Sequence, residues 1–144
     1  MKKQKIYTTF ISLCGIAVLG LGIVQSAALF VDPQTRLANI MYCVVMLALL
    51  TMCHMLPIYI TSDKTMEISF VPVVACIVTK GVPISIVLYA LSSMFVMLQD
   101  GNTKKYYSPW SRAPLKELFN VANVLVANWV GGLVFSLIVP TIGG

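Results

Sequence analysis

The stretch ISFVPVVACIVTKGVPISIVLYALSSMFVML, Ile68 to Leu98, decides how this chain folds. It is apolar and long enough for one helix across a bilayer, yet Pro72, Lys80, Gly81 and Pro83 stand inside it. Proline removes a backbone donor and clashes with the preceding turn, and glycine costs a helix about 1 kcal/mol against alanine. The KGVP cluster, Lys80 to Pro83, therefore reads as a break between two elements. The first, Ile68 to Thr79, is short for a hydrocarbon core of roughly 30 Å. It is either a short tilted helix covered by its neighbours or a re-entrant piece, since irregular backbone survives at depth only where protein or water surrounds it. The second, Val82 to Leu98, suits a crossing.

Three longer apolar runs flank this stretch. Ile6 to Val31 follows the basic MKKQK start. It exceeds the roughly 7–15 apolar residues of a secretory leader, and no clear cleavage site precedes the polar DPQTR turn, so it reads as a retained transmembrane helix. Leu37 to Ile60 spans comfortably, with Pro57 in its last turn to kink or end it, and the polar TSDKTMEIS turn follows. Leu115 to Val139 opens behind Pro114 and stops at PTIGG. That ending suits a true terminus or a cut in a longer chain.

Composition names the solvent. Of 144 residues, 58% are hydrophobic and only 10% charged, with a mean hydropathy of +0.89. Soluble domains carry about 25% charged residues, so these cannot coat a globule of this size, and lipid is the medium for most of the chain. The fold class is all-α: a polytopic transmembrane helix bundle of about five membrane elements, one short or broken, in a single integral membrane domain over residues 1–144.

The net charge of +5 gathers outside the apolar runs, at Lys2, Lys3 and Lys5 and again at Lys104, Lys105, Arg112 and Lys116. Basic loops stay cytoplasmic. Five crossings put the N-terminus, the TSDKT turn and the basic loop inside the cell membrane, and DPQTR, KGVP and the C-terminus outside. The second basic group then anchors the chain at anionic headgroups, with Tyr106, Tyr107 and Trp110 as an aromatic belt. No basic face alternates with exposed aromatics, so nucleic acid is not an expected partner.

No catalytic constellation is present: there is no G-x-S-x-G, no phosphate loop, no H-E-x-x-H and no pair of buried carboxylates. Cys14, Cys43, Cys53 and Cys76 lie in apolar runs without ligand spacing and read as packing residues, as do the methionines. His54 is the one histidine, too few for a metal or haem site, and reads as a satisfied helix-end residue. Glu117 complements the dipole of the last helix while Lys116 snorkels to headgroups. Neither a cofactor nor a metal is expected.

KELFNVANVLVANWVGGLVF, Lys116 to Phe135, carries three amides through an apolar helix. At 100° per residue, Asn120, Asn123, Asn128 and Gly131 fall within an arc of about 140°, with Trp129 opposite. Such a face either packs against a neighbouring helix, where small residues and amides allow close approach and hydrogen bonding, or lines a polar cavity for a ligand. The first reading turns Asn120, Asn123, Asn128 and Gly131 inward and Trp129 to the opposite side, toward lipid or an interface.

The segment SRAPLKELFNVANVLVANWVGGLVF, Ser111 to Phe135, resembles a recurring piece of the N-terminal membrane regions of bacterial HD-GYP or GGDEF cyclic-di-GMP signalling proteins. Arg112, Phe119, Asn120, Asn123, Gly131, Gly132 and Phe135 match its pattern, and a KGVP-like break is similar to the preceding helices of that family. The resemblance covers about Leu56 to Phe135, and no HD, GYP or GGDEF signature appears in the chain. It implies a sensory or anchoring input module, without catalysis of its own, that couples a cue to a cytoplasmic domain. The bilayer, adjoining transmembrane helices, a second copy of the chain and a small-molecule ligand are the partners this reading admits. The alternatives are the substrate-binding membrane component of a vitamin or metabolite importer, and a structural protein without ligand.

Overall fold

The computed structural model describes the chain except Pro57, Ser62, Asp63, Glu67, Asp100, Gly101, Gly143 and Gly144, and the side chains of 58–61, 64–66, 99 and 140–142. Helix α1 covers Lys2–Ala27 and continues through a 3-10 turn, Ala28–Phe30. Asp32 then starts α2, Pro33–Met55: its carboxylate accepts from the Gln34 backbone N–H at 3.0 Å, and Pro33 sits in the first turn, where no donor is missed. This cap starts α2 ahead of Leu37. The helix also ends earlier than expected, at Met55 rather than Ile60, because a residue before proline is pushed from helical geometry and Leu56 has φ −112 and ψ 71. Pro57 itself lies outside the described residues.

Strands β1, Ile58–Thr61, and β2, Lys64–Met66, pair antiparallel in place of the expected polar turn, whose Ser62, Asp63 and Glu67 lie outside the described residues. Helices α3, Phe70–Lys80, and α4, Val82–Phe95, follow, joined by Gly81 at φ 96. Positive φ is readily open only to glycine, so the KGVP break is a tight reversal. A second small pair, β3 at Leu98–Gln99 and β4 at Tyr106–Tyr107, precedes the short α5, Pro109–Arg112. Helix α6 covers Pro114–Ile142 and runs past the expected end at Val139. The terminal Gly143 and Gly144, expected as its stop, lie outside the described residues.

Among the described residues three helices are long and apolar enough to cross a membrane: α1 with its 3-10 extension, α2 and α6. With 11 and 14 residues, α3 and α4 reach only about 16 and 21 Å, less than a roughly 30 Å core. Short as it is, α4 is nevertheless central. It packs against α1, α2, α3 and α6, and eight of its residues are buried, among them Ile86, Ser85 and Ser92 with no exposure at all.

Residue contacts set the directions. Tyr7 meets Phe119 edge-on at 5.9 Å, and Gly15 meets Ala122, so α1 and α6 run together. Gly22 lies against Pro83 and Ile86, and Gly132 against Val82, so α4 runs opposite to both. Lys80 donates to Asn39 Oδ1 at 2.8 Å at one end, and His54 meets the Tyr89 ring at the other, so α2 runs with α4. The tip of the α3–α4 pair is tied to α2 by this Lys80 bond, by the Tyr42–Thr79 hydroxyl pair and by Lys80 Nζ 5.4 Å from the Tyr42 ring centre. Asn39 in turn donates to the Leu29 carbonyl at 2.7 Å.

Glycines carry the closest helix contacts. A Cβ at Gly15 would lie 2.5 Å from Ala122 Cα, and one at Gly132 would lie 2.1 Å from Val82 Cγ2, whereas Gly20 and Gly131 have open space. Replacing glycine by alanine in a helix normally gains about 1 kcal/mol. Gly20→Ala and Gly131→Ala should therefore leave the thermal unfolding midpoint in detergent unchanged or raised. Gly15→Ala and Gly132→Ala should lower it, since overpacking costs about 1–3 kcal/mol. Equal shifts for all four would contradict these contacts.

Candidate functional site

The packed side of α6 is Val121, Ala122, Leu125 and Gly132, all buried, with Trp129 half-buried against the same core. By helical geometry this sector is centred about 140° from Asn120. Asn120, Asn123 and Gly131 are exposed, and Asn128 is half-buried with its Nδ2 enclosed and without a hydrogen-bond partner. The inward placement of Asn120, Asn123 and Gly131 is thus corrected, and Trp129 stands on the packed side rather than turned away from it. The reason is steric: Ala122 lies against the α1 backbone at Gly15 and Gly132 admits the Val82 side chain of α4, whereas interhelical amide bonds contribute only about 0.6 kcal/mol on average.

Two of the amides meet other polar groups instead. Asn120 and Asn123 line a cleft of about 390 Å³ between α2, α4 and α6. His54 from the last turn of α2 and Tyr89 and Ser93 from α4 stand in its wall, with Glu117 from the first turn of α6. Val96, Leu98, Pro109, Val121 and Val124 supply the apolar remainder. His54 and Tyr89 are buried, their rings 4.9 Å apart and edge-on. The Trp110 indole N–H donates to the Ser93 carbonyl at 3.0 Å, which fixes α5 beside the cleft.

Glu117, Asn120 and Asn123 are three residues apart on α6, one above the next along the helix. Their side chains make no hydrogen bond or ion pair with the described residues. This spacing, had Glu117 been grouped with the amides instead of assigned to the helix dipole, would have marked the stripe in the sequence. Tyr89 and Ser93 carried no such signal, because hydroxyl residues in an apolar helix are ordinary packing.

The second predicted group lies at the same end. Lys104, Lys105, Arg112 and Lys116 are exposed, Lys104 with φ 53 in the turn between β3 and β4. The Arg112 guanidinium lies 3.7 Å from the centre of the Tyr107 ring. None of the four lines the cleft. The described residues hold no cluster of three or more His, Cys, Asp or Glu side chains able to bind a metal, and the four cysteines are unpaired, with Cys76 fully buried. Comparison with family models, curated proteins and solved structures returns no match to this chain.

Proposed function

We infer that the chain is a multi-pass membrane input module of a bacterial signalling protein, one that takes a small-molecule cue in the α2–α4–α6 cleft and relays it to a cytoplasmic domain. The observation that carries this reading is the cleft itself: a concave site with Glu117, Asn120 and Asn123 along one wall, unpaired among the described residues, at the end of a helix bundle where basic and aromatic residues collect. An occupant bridging α6 to α2 and α4 alters how those helices pack, and a shift in packing is what a sensor passes on. The resemblance of Ser111–Phe135 to cyclic-di-GMP sensors supplies the downstream partner.

In this reading the α3–α4 pair crosses as two short elements, giving five in all. The N-terminus, the cleft and the basic loop face the cytoplasm of the cell membrane, and the Gly81 reversal faces outward. The directions of the helices favour it, since the N-terminal ends of α1 and α6 lie at one end and Gly81 at the other. A membrane-impermeant maleimide should label a Lys104→Cys variant only after the cell membrane is opened. Labelling in intact cells would invert the topology.

The broken α3–α4 pair also favours a second reading, a substrate-binding transport component, because carriers build sites at interrupted helices. Cellular cyclic-di-GMP separates the two. In native cells the Asn120→Leu/Asn123→Leu double variant, at unchanged membrane abundance, should shift its level at least twofold. An unchanged level would overturn the signalling reading, and loss of metabolite uptake in its place would select transport.

A further inference from the structure

We propose that the cleft binds a small organic cation, an ammonium group on an apolar body, with Glu117 as its counter-ion and the Asn120 and Asn123 carbonyl oxygens as further acceptors. The proposal rests on the cleft being a ligand site and adds the ligand's chemical class.

Charge is the first argument. Glu117 is half-buried, its carboxylate can only accept, and no cation of the described residues pairs with it. The dipole of α6 stabilises a first-turn carboxylate by only about 0.3–1 kcal/mol. Among the described residues both oxygens are without a partner. The basic residues nearby do not change this balance. Lys116 is the sequence neighbour of Glu117 but is turned about 100° around the helix and exposed. Arg112 is stacked on Tyr107, and Lys104 and Lys105 stand in the loop outside the lining. An anionic ligand would meet Glu117 as a like charge, and a neutral one would leave it unmatched.

Shape and polarity are the second. The three acceptors line the α6 wall of a cleft that also presents Val96, Leu98 and Val124, so a ligand there meets both charge and hydrocarbon. At about 390 Å³ the cleft lies at the small end of the roughly 300–1,000 Å³ span of ligand pockets, which suits one ring or a short chain. An amine carries up to three donors, matching one carboxylate and two amide oxygens.

Benzylamine, benzyl alcohol and benzoate are near-isosteric probes that are cationic, neutral and anionic. Their binding to the full chain in phosphatidylcholine nanodiscs, read by saturation-transfer NMR against empty nanodiscs, tests the class. Benzylamine should bind at least tenfold more tightly than the other two. Glu117→Gln should weaken it at least tenfold, Glu117→Asp should keep it within about threefold, and Val124→Trp, which fills the cleft, should abolish it. Equal binding of the alcohol or benzoate, or indifference to Glu117→Gln, overturns the cation assignment. If binding of those probes is still blocked by Val124→Trp, the cleft stands as a site. Absence of binding by all three probes, or binding indifferent to Val124→Trp, overturns the cation proposal and removes its premise in the cleft. The probe comparison on the unmodified chain decides the class even where a variant fails to fold.

Discussion

Close backbone approach is the constraint on which this bundle depends. Lipid tails are as apolar as leucine, so helices in a bilayer gain little from burying hydrocarbon against one another, and association relies on packing contact and hydrogen bonds. Here the short α4 supplies a core in which Ser85, Ala90, Ser92 and Ser93 stand among Ile84, Ile86 and Leu88, and α1 and α6 meet it and each other through Gly15, Gly22 and Gly132. These contacts set the rotation of α6. With Ala122 and Gly132 turned inward, Asn120 and Asn123 fall to the open side, and the cleft follows from that rotation.

The ends of the bundle differ in consequence. At the Gly81 end, Lys80, Asn39, Tyr42 and Thr79 satisfy one another, so polar groups hold the α3–α4 tip to α2. At the opposite end α4 stops at Phe95, and the space between α2 and α6 is bounded by His54, Tyr89 and the loop that carries Trp110. Among the described residues the Glu117, Asn120 and Asn123 side chains there make no hydrogen bond or ion pair. The polar tie and the cleft thus sit at opposite ends of the same short helix.

Much of the architecture was legible in the sequence. The three long apolar runs and the KGVP break announce three helices long and apolar enough to cross a membrane and an interrupted pair, because glycine and proline act locally. The rotation of α6 was not legible. In water, polar residues mark the exposed side of a helix, but in lipid both sides are apolar and amides can face either way. Gly131 and Gly132 are adjacent and identical in the sequence, yet one faces open space and the other Val82, a difference made by tertiary contact alone. The cleft was legible only in its Glu117–Asn120–Asn123 stripe. Its other wall comes from His54 and Tyr89, distant in sequence and unremarkable where they stand. Pro57 as a helix end was readable, but the pairing of Ile58–Thr61 with Lys64–Met66 was not, since both strands are short and surrounded by membrane-like sequence.

Rotation of α6 can be measured directly by cross-linking in a cysteine-free background. Mild oxidation of the Val82→Cys/Gly132→Cys chain in membranes should form an intramolecular disulfide nearly completely. The Val82→Cys/Gly131→Cys chain should stay reduced, because its second thiol faces away. Efficient cross-linking at Gly131 in place of Gly132 would turn the amide stripe back into the bundle and leave the cleft without its acceptors.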